Sequence, residues 1–297
     1  MMQARSTETA LPVIPARFTP ELKSLARIIF GFLVFRHGME QVFGFPGAWR
    51  DVPTLSAFGV LKLMCLPGGL LMMLGLFTRP VALTLAVAHL IYWFIEPLPA
   101  SLLEGQRLFG SRGAPTDHLV LPALFFVYLF VTGPGVWSLD RWLNRDAGAT
   151  HDPRRAAYSL GVLRIVAGFL FIFHGVGKVT GASWEALDPI SLRALAAVLE
   201  LVGGPMIMLG LFTRPLAFLL SGEMAFAYFL SHAPEGFWGS FAEPNQEAAI
   251  LFCFLYLFMW AAGPGAWSLD GLLRSRRTRL ASPAVAAPAM ALALSDE

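Results

Sequence analysis

The stretch RIVAGFLFIFHGVGKVTG, Arg164 to Gly181, decides the fold: it is apolar enough for a membrane interior, yet it carries His174 and Lys178 four residues apart. The pattern occurs twice, because RIIFGFLVFRHGMEQVFG at Arg27 to Gly44 matches it at nine of eighteen positions. Apolar runs of this length approach the ~20 residues that a helix rising about 1.5 Å per residue needs to cross a hydrocarbon core ~30 Å thick. They recur along the whole chain. Its 297 residues are 56% hydrophobic and 14% charged, with a mean hydropathy of +0.61, where a soluble domain carries roughly 25% charged residues. This composition excludes an ordinary water-soluble domain. The net charge is only +2, with basic residues near helix ends, which argues against nucleic-acid binding.

Two further landmarks repeat in the same order. LMMLGLFTRPVA at Leu71 to Ala82 returns as MIMLGLFTRPLA at Met206 to Ala217, with nine of twelve residues identical, and GPGVWSLD at Gly133 to Asp140 returns as GPGAWSLD at Gly263 to Asp270. The offsets of 137, 135 and 130 point to an internal duplication. Each copy holds four apolar segments, at roughly 23–44, 55–77, 80–96 and 118–133, then 159–180, 192–212, 215–232 and 246–262. The expected fold is an all-α integral membrane protein of two tandem four-helix units, about eight transmembrane helices in a parallel repeat. The expected divisions are a tail over 1–22, a first unit over 23–145, a linker over 146–158, a second unit over 159–273 and a basic, then low-complexity tail over 274–297. Whether the units form one core or two bundles side by side stays open.

LFTRP reads as a tight hairpin between second and third helices, with Pro80 or Pro215 in the first turn, where its missing N–H costs nothing. GPG ends the fourth helix and leaves Trp137 or Trp267 as an interfacial anchor. If the N-terminus is cytoplasmic, fifteen Lys and Arg fall on inside segments and five on outside loops. The positive-inside asymmetry then places both termini in the cytoplasm. The first twenty residues lack the apolar core of a cleaved secretion signal.

Ionisable residues inside spans are costly, so they face the bundle interior and find partners. The second copy holds His174, Lys178, Glu200, Glu223 and His232; the first holds Arg36, His37, Glu40, Lys62 and His89. Only the histidine is common to both at matched positions: Gln41 stands for the lysine, Cys65 for Glu200 and Ala88 for Glu223. Helix rise places His174 roughly 22 Å from the inner end of its helix and Glu200 ~12 Å from the outer end of the next. His174 is therefore expected to pair with Glu200 in the outer half, with Lys178 beside them. Glu223 is expected lower, ~12 Å above the inner face. The candidate ligand-binding residues are His174, Lys178, Glu200, Glu223 and His37; no catalytic residue is assigned. The same group also reads as a buried network fixing helix register, with Lys178 snorkelling outward. His89 reads as a satisfied core histidine, and Arg36–Glu40 as a local i, i+4 ion pair.

No metal site, phosphate loop, protease motif or nucleotide fingerprint appears. Cys65 and Cys253 form no CxxC, and the histidines alone do not indicate haem. Taken together, R-x-x-x-G-F-L-F-x-x-H-G-x-x-K-x-x-G, L-E-L-V-G-G-x-x-x-x-L-G-L-F-T-R-P, N-Q-E and G-P-G-x-W-S-L-D in the second copy resemble the DoxX family of bacterial four-helix membrane proteins. The first copy keeps His-Gly, GLFTRP and GPGxWSLD but lacks the lysine, the first glutamate and N-Q-E, and its loop from Pro97 to Asp117 departs from the pattern. The resemblance implies a bacterial inner-membrane subunit of a quinone-linked thiosulfate oxidoreductase or quinol oxidase system, or of an oxidative-stress complex. A quinone would then be the cofactor and a redox subunit the partner, besides the lipid bilayer. A small-molecule permease and a structural scaffold remain as alternatives, the former because acids at two depths would line a polar path.

Overall fold

The computed structural model describes residues 14–44, 55–104, 116–145, 152–181, 190–233 and 244–281. The expected tails up to 13 and beyond 281, the start of the linker at 146–151 and most of the divergent loop at 105–115 lie outside them, as do the side chains of Asn245, Gln246 and His232. The helices are α1 (Thr19–Phe43), α2 (Ala57–Leu74), α3 (Thr78–Ile95), α4 (Pro97–Glu104), α5 (Thr116–Thr132), α6 (Leu139–Trp142), α7 (Pro153–Gly181), α8 (Leu192–Leu209), α9 (Thr213–Ala227), α10 (Pro244–Ala262) and α11 (Leu269–Ala281). There is no strand among the described residues. Helix α7 begins at Pro153, six residues before the expected 159, and α11 continues into the expected tail.

Caps explain where the elements stop and start. The Ser56 and Ser191 hydroxyls accept from the backbone N–H groups of Gly59 and Ala194 at the starts of α2 and α8. Gly75 and Gly210 end those helices at φ of 65° and 67°, a conformation that costs glycine little.

One buried arginine and one aspartate per half then clamp each LFTRP hairpin. Arg27 and Arg164 are fully buried. Arg164 donates to Ile207 and Met208 carbonyls at the end of α8, at 2.8 and 2.5 Å, and to Pro264, Ala266 and Trp267 in the GPG segment. Arg27 does the same with Met72, Met73, Pro134 and Trp137. A guanidinium suits the place: the last carbonyls of a helix have no intrahelical donor and carry its negative dipole end. Asp140 accepts from the N–H groups of Phe77 and Thr78 at 2.8 and 2.7 Å, and Asp270 from Phe212 and Thr213 at 2.8 Å each, capping α3 and α9. The motif arginine after each threonine, Arg79 or Arg214, donates to carbonyls at the end of α5 or α10. These repeated motif residues are thus accounted for as an end-clamp.

Adjacent helices run antiparallel around one body in chain order, with α10 returning to α1. The two four-helix units share one hydrophobic core. Helices α5 and α10 lie at its centre, where Phe258 meets Phe125 edge-on at 5.9 Å and Tyr128 at 5.3 Å. Close packing of α1 on α2 depends on glycine: a Cβ on Gly38 would lie 2.3 Å from the Leu66 backbone nitrogen.

Helices α2, α3, α7 and α8 are each long and apolar enough to cross a membrane, and α5 and the Glu247–Ala262 part of α10 are apolar but shorter. The outward faces of α3 and α9 expose Val87, Ile91, Phe94, Phe218 and Phe226, an apolar surface far larger than a soluble monomer presents. The chain is an all-α integral membrane protein.

Candidate functional site

The carboxylate at the start of each fourth helix reaches the histidine of the other half. Asp117 on α5 accepts from His174 Nε2 on α7 at 2.6 Å, and Glu247 on α10 meets His37 Nε2 on α1 at 3.1 Å. Asp117 and Glu247 are 130 residues apart, the same offset as the GPG segments. That register was the available signal for the crosswise pairs, and sequence reasoning missed Asp117. His174 therefore pairs with Asp117 and not, as expected, with Glu200: Glu200 Oε1 accepts instead from Lys178 Nζ at 2.5 Å. Phe252 closes over the His174 ring edge-on, with centroids 5.4 Å apart.

Around His37 the charges balance. Arg36 donates to Glu247 Oε1, while Lys62 donates to Glu40 Oε2 at 3.1 Å. The expected Arg36–Glu40 contact is present at 3.9 Å, but Glu247 is the nearer acid. Two fixed cations thus face two carboxylates. His118 is close enough to His37, Glu247 and Arg36 for their charges to act on it. His89 donates from Nδ1 to its own helix at Leu85 O, 2.7 Å away, as a satisfied core histidine does.

Around His174 they do not balance. Among the described residues, Asp117, Glu200 and Glu223 face one fixed cation, Lys178, with His174 adding a second only when protonated. The Glu200 side chain is fully buried, and its Oε2 has no hydrogen-bond partner among the described residues. Neither oxygen of Glu223 has one. Glu223 is also not at a separate depth. It stands ten residues from the start of α9 and Glu200 nine from the end of α8, so both lie about 14 to 15 Å from the arginine clamp. His174, ten residues beyond Arg164, is level with them, midway between the ends of α8. The outer-half placement shifts inward because α7 starts early and Arg164, not its first residue, marks the level where α8 ends.

Packing explains why the two acids meet. Gly203 on α8 abuts Leu220 on α9, where an added Cβ would lie 3.0 Å from Leu220 Cδ2. About one turn farther from the clamp than this contact, on the same antiparallel helices, stand Glu200 and Glu223. Tyr256 of α10, fully buried, lies within electrostatic reach of both and of Asp117. The arrangement offers N–H donors from His174 and Lys178, unsatisfied carboxylate oxygens, and an aromatic wall of Phe171, Phe252 and Tyr256. It can hold a polar group with an apolar body and exchange protons with it. Among the described residues no group of His, Cys, Asp and Glu is placed to hold a metal ion.

The DoxX family model matches residues 159–233. The chain is similar to an uncharacterized protein of Haemophilus influenzae, 41% identical over 123 residues, which covers 38% of this chain and 89% of that one. It is also similar to the inner membrane protein YqjF of Escherichia coli, 32% identical over 125 residues, covering 39% and 92%. An uncharacterized membrane protein of Mycobacterium tuberculosis is 31% identical over 137 residues, covering 39% and 82%. No solved structure matches the chain.

Proposed function

The chain belongs to the DoxX family of membrane proteins, and from that premise we propose that it is the membrane subunit of a quinone-linked redox system, of the thiosulfate oxidoreductase, quinol oxidase or oxidative-stress type. One observation carries the reading: a buried site, level with the middle of α8, holds more carboxylates than cations, with two neutral or cationic N–H donors beside them. His174 and Lys178 would hold the head-group oxygens, and Glu200 and Glu223 would supply or take up protons. A quinone held there would supply the two-electron couple, with the electrons exchanged with a partner redox subunit. The orphaned Glu200 and Glu223 oxygens fit such a group, as do the aromatic rings around them. In this reading the arginine clamp faces the cytoplasm of a bacterial inner membrane, with both termini on that side. The permease reading loses its main support, because its two acid depths merge into one level.

The test is binding of a short-chain quinone to the purified full chain in nanodiscs. Wild type is expected to bind, and Lys178→Ala and His174→Ala to weaken binding at least tenfold, which is about 1.4 kcal/mol. Equal affinity in all three proteins, or none in wild type, would overturn the assignment; quinone-independent solute flux in proteoliposomes would favour a permease.

A further inference from the structure

We propose that Glu223, within electrostatic reach of Glu200 on the neighbouring helix, is a binding site for one exchangeable proton in the interior of the bundle. This deepens the proton role given to Glu223 in the quinone reading, and it holds whether or not a quinone binds.

The placement rests on helix packing. The Gly203–Leu220 contact sets α8 and α9 close together, and both glutamates stand one turn beyond it. Glu200 is committed through Oε1 to Lys178, the one fixed cation at this level among the described residues, and it is fully buried. Its Oε2 and both oxygens of Glu223 are buried without hydrogen-bond partners among the described residues. The groups that face Glu223 are Glu200 from α8, Lys178 from α7 behind it, and Tyr256 from α10. Ser221, two residues back on α9, is already engaged, donating to Cys253 O on α10 at 2.8 Å.

Lys178 balances one carboxylate, and His174 with Asp117 forms a pair of its own. The remaining carboxylate has no counter-charge. An ionised carboxylate buried without hydrogen bonds is far more costly than its neutral acid, and a second carboxylate beside it raises that cost. A proton bonded to one Glu223 oxygen removes the excess charge and supplies a donor for the neighbouring oxygens. The first half has no such site, because Cys65 and Ala88 occupy the matching positions beside the equivalent Gly68–Leu85 contact. The frame therefore packs without the acid pair.

Dicyclohexylcarbodiimide, an apolar reagent that modifies neutral carboxylic acids, tests this on the full chain in membranes. Peptide mapping is expected to find the adduct on Glu223 at pH 6, with at least a tenfold loss of labelling by pH 9. Glu200→Gln removes the like charge and frees Lys178, so Glu223 labelling at neutral pH should fall severalfold. Infrared spectroscopy reads the same proton without a reagent: the carbonyl stretch of a neutral carboxylic acid should vanish in Glu223→Gln, whose isosteric amide keeps the packing. The proposal is overturned if that band is unchanged in the variant. It is equally overturned if labelling falls on Glu200 alone, ignores pH, or is blocked by sodium chloride but not choline chloride, which would mark a cation site.

Discussion

The two halves of this molecule keep the same frame and carry different chemistry. In both, a buried arginine holds the end of the second helix, an aspartate caps the third, and a histidine about 15 Å deeper meets an acid from the opposite half. In the first half the surrounding charges are matched one to one; in the second a lysine faces an excess of acids. The residues that recur, then, are those that close helix ends, and those that differ concentrate at one level of the interior. A recurring motif in this fold marks architecture, and the departure from it marks the candidate site.

The sharpest way to break the parallel is to remove its shared element. Arg27→Ala and Arg164→Ala each strand buried carbonyls at a helix end, and each should cost about 4 kcal/mol in detergent unfolding measurements. A large loss in only one of them would show that the clamp is not equivalent in the two halves. The crosswise acids should separate next. Glu247→Gln leaves Arg36 buried without its nearer acid and should cost about 3 kcal/mol. Asp117→Asn keeps a hydrogen bond to neutral His174 and should cost about 1 kcal/mol. The glycines give the smallest contrast. A Cβ at Gly38 meets Leu66 backbone at 2.3 Å, whereas at Gly175 the nearest atom is Leu201 Cγ at 2.8 Å, a side chain that can turn aside. Gly38→Ala should therefore cost about 2 kcal/mol and Gly175→Ala about 1 kcal/mol, read as a difference in melting temperature in the same detergent.

Much of the frame was legible in the sequence, because helix spans, LFTRP and GPG are local signals. Hydrophobic runs located the main helices, and proline and glycine marked their ends. The sequence marks His174, Lys178, Glu200 and Glu223 as polar residues within spans, but it does not give their partners. Pairing was sought within one copy, where sequence neighbours are visible, while Asp117 reaches His174 from the other copy and from the edge of a loop that departs from the pattern. The level of Glu223 was misjudged for a different reason: apolar patterning does not locate a helix end to better than a turn, and one turn is about 5.4 Å of depth.

The crosswise contact of Glu247 with Arg36 and His37 also bears on how the chain assembles during synthesis. Arg36 and His37 enter the bilayer on α1, and the acid that completes their set arrives on α10, after every other long helix of the body. The ionic set of the first half is therefore complete only once α10 is in place, which ties its interior to the last long helix of the body.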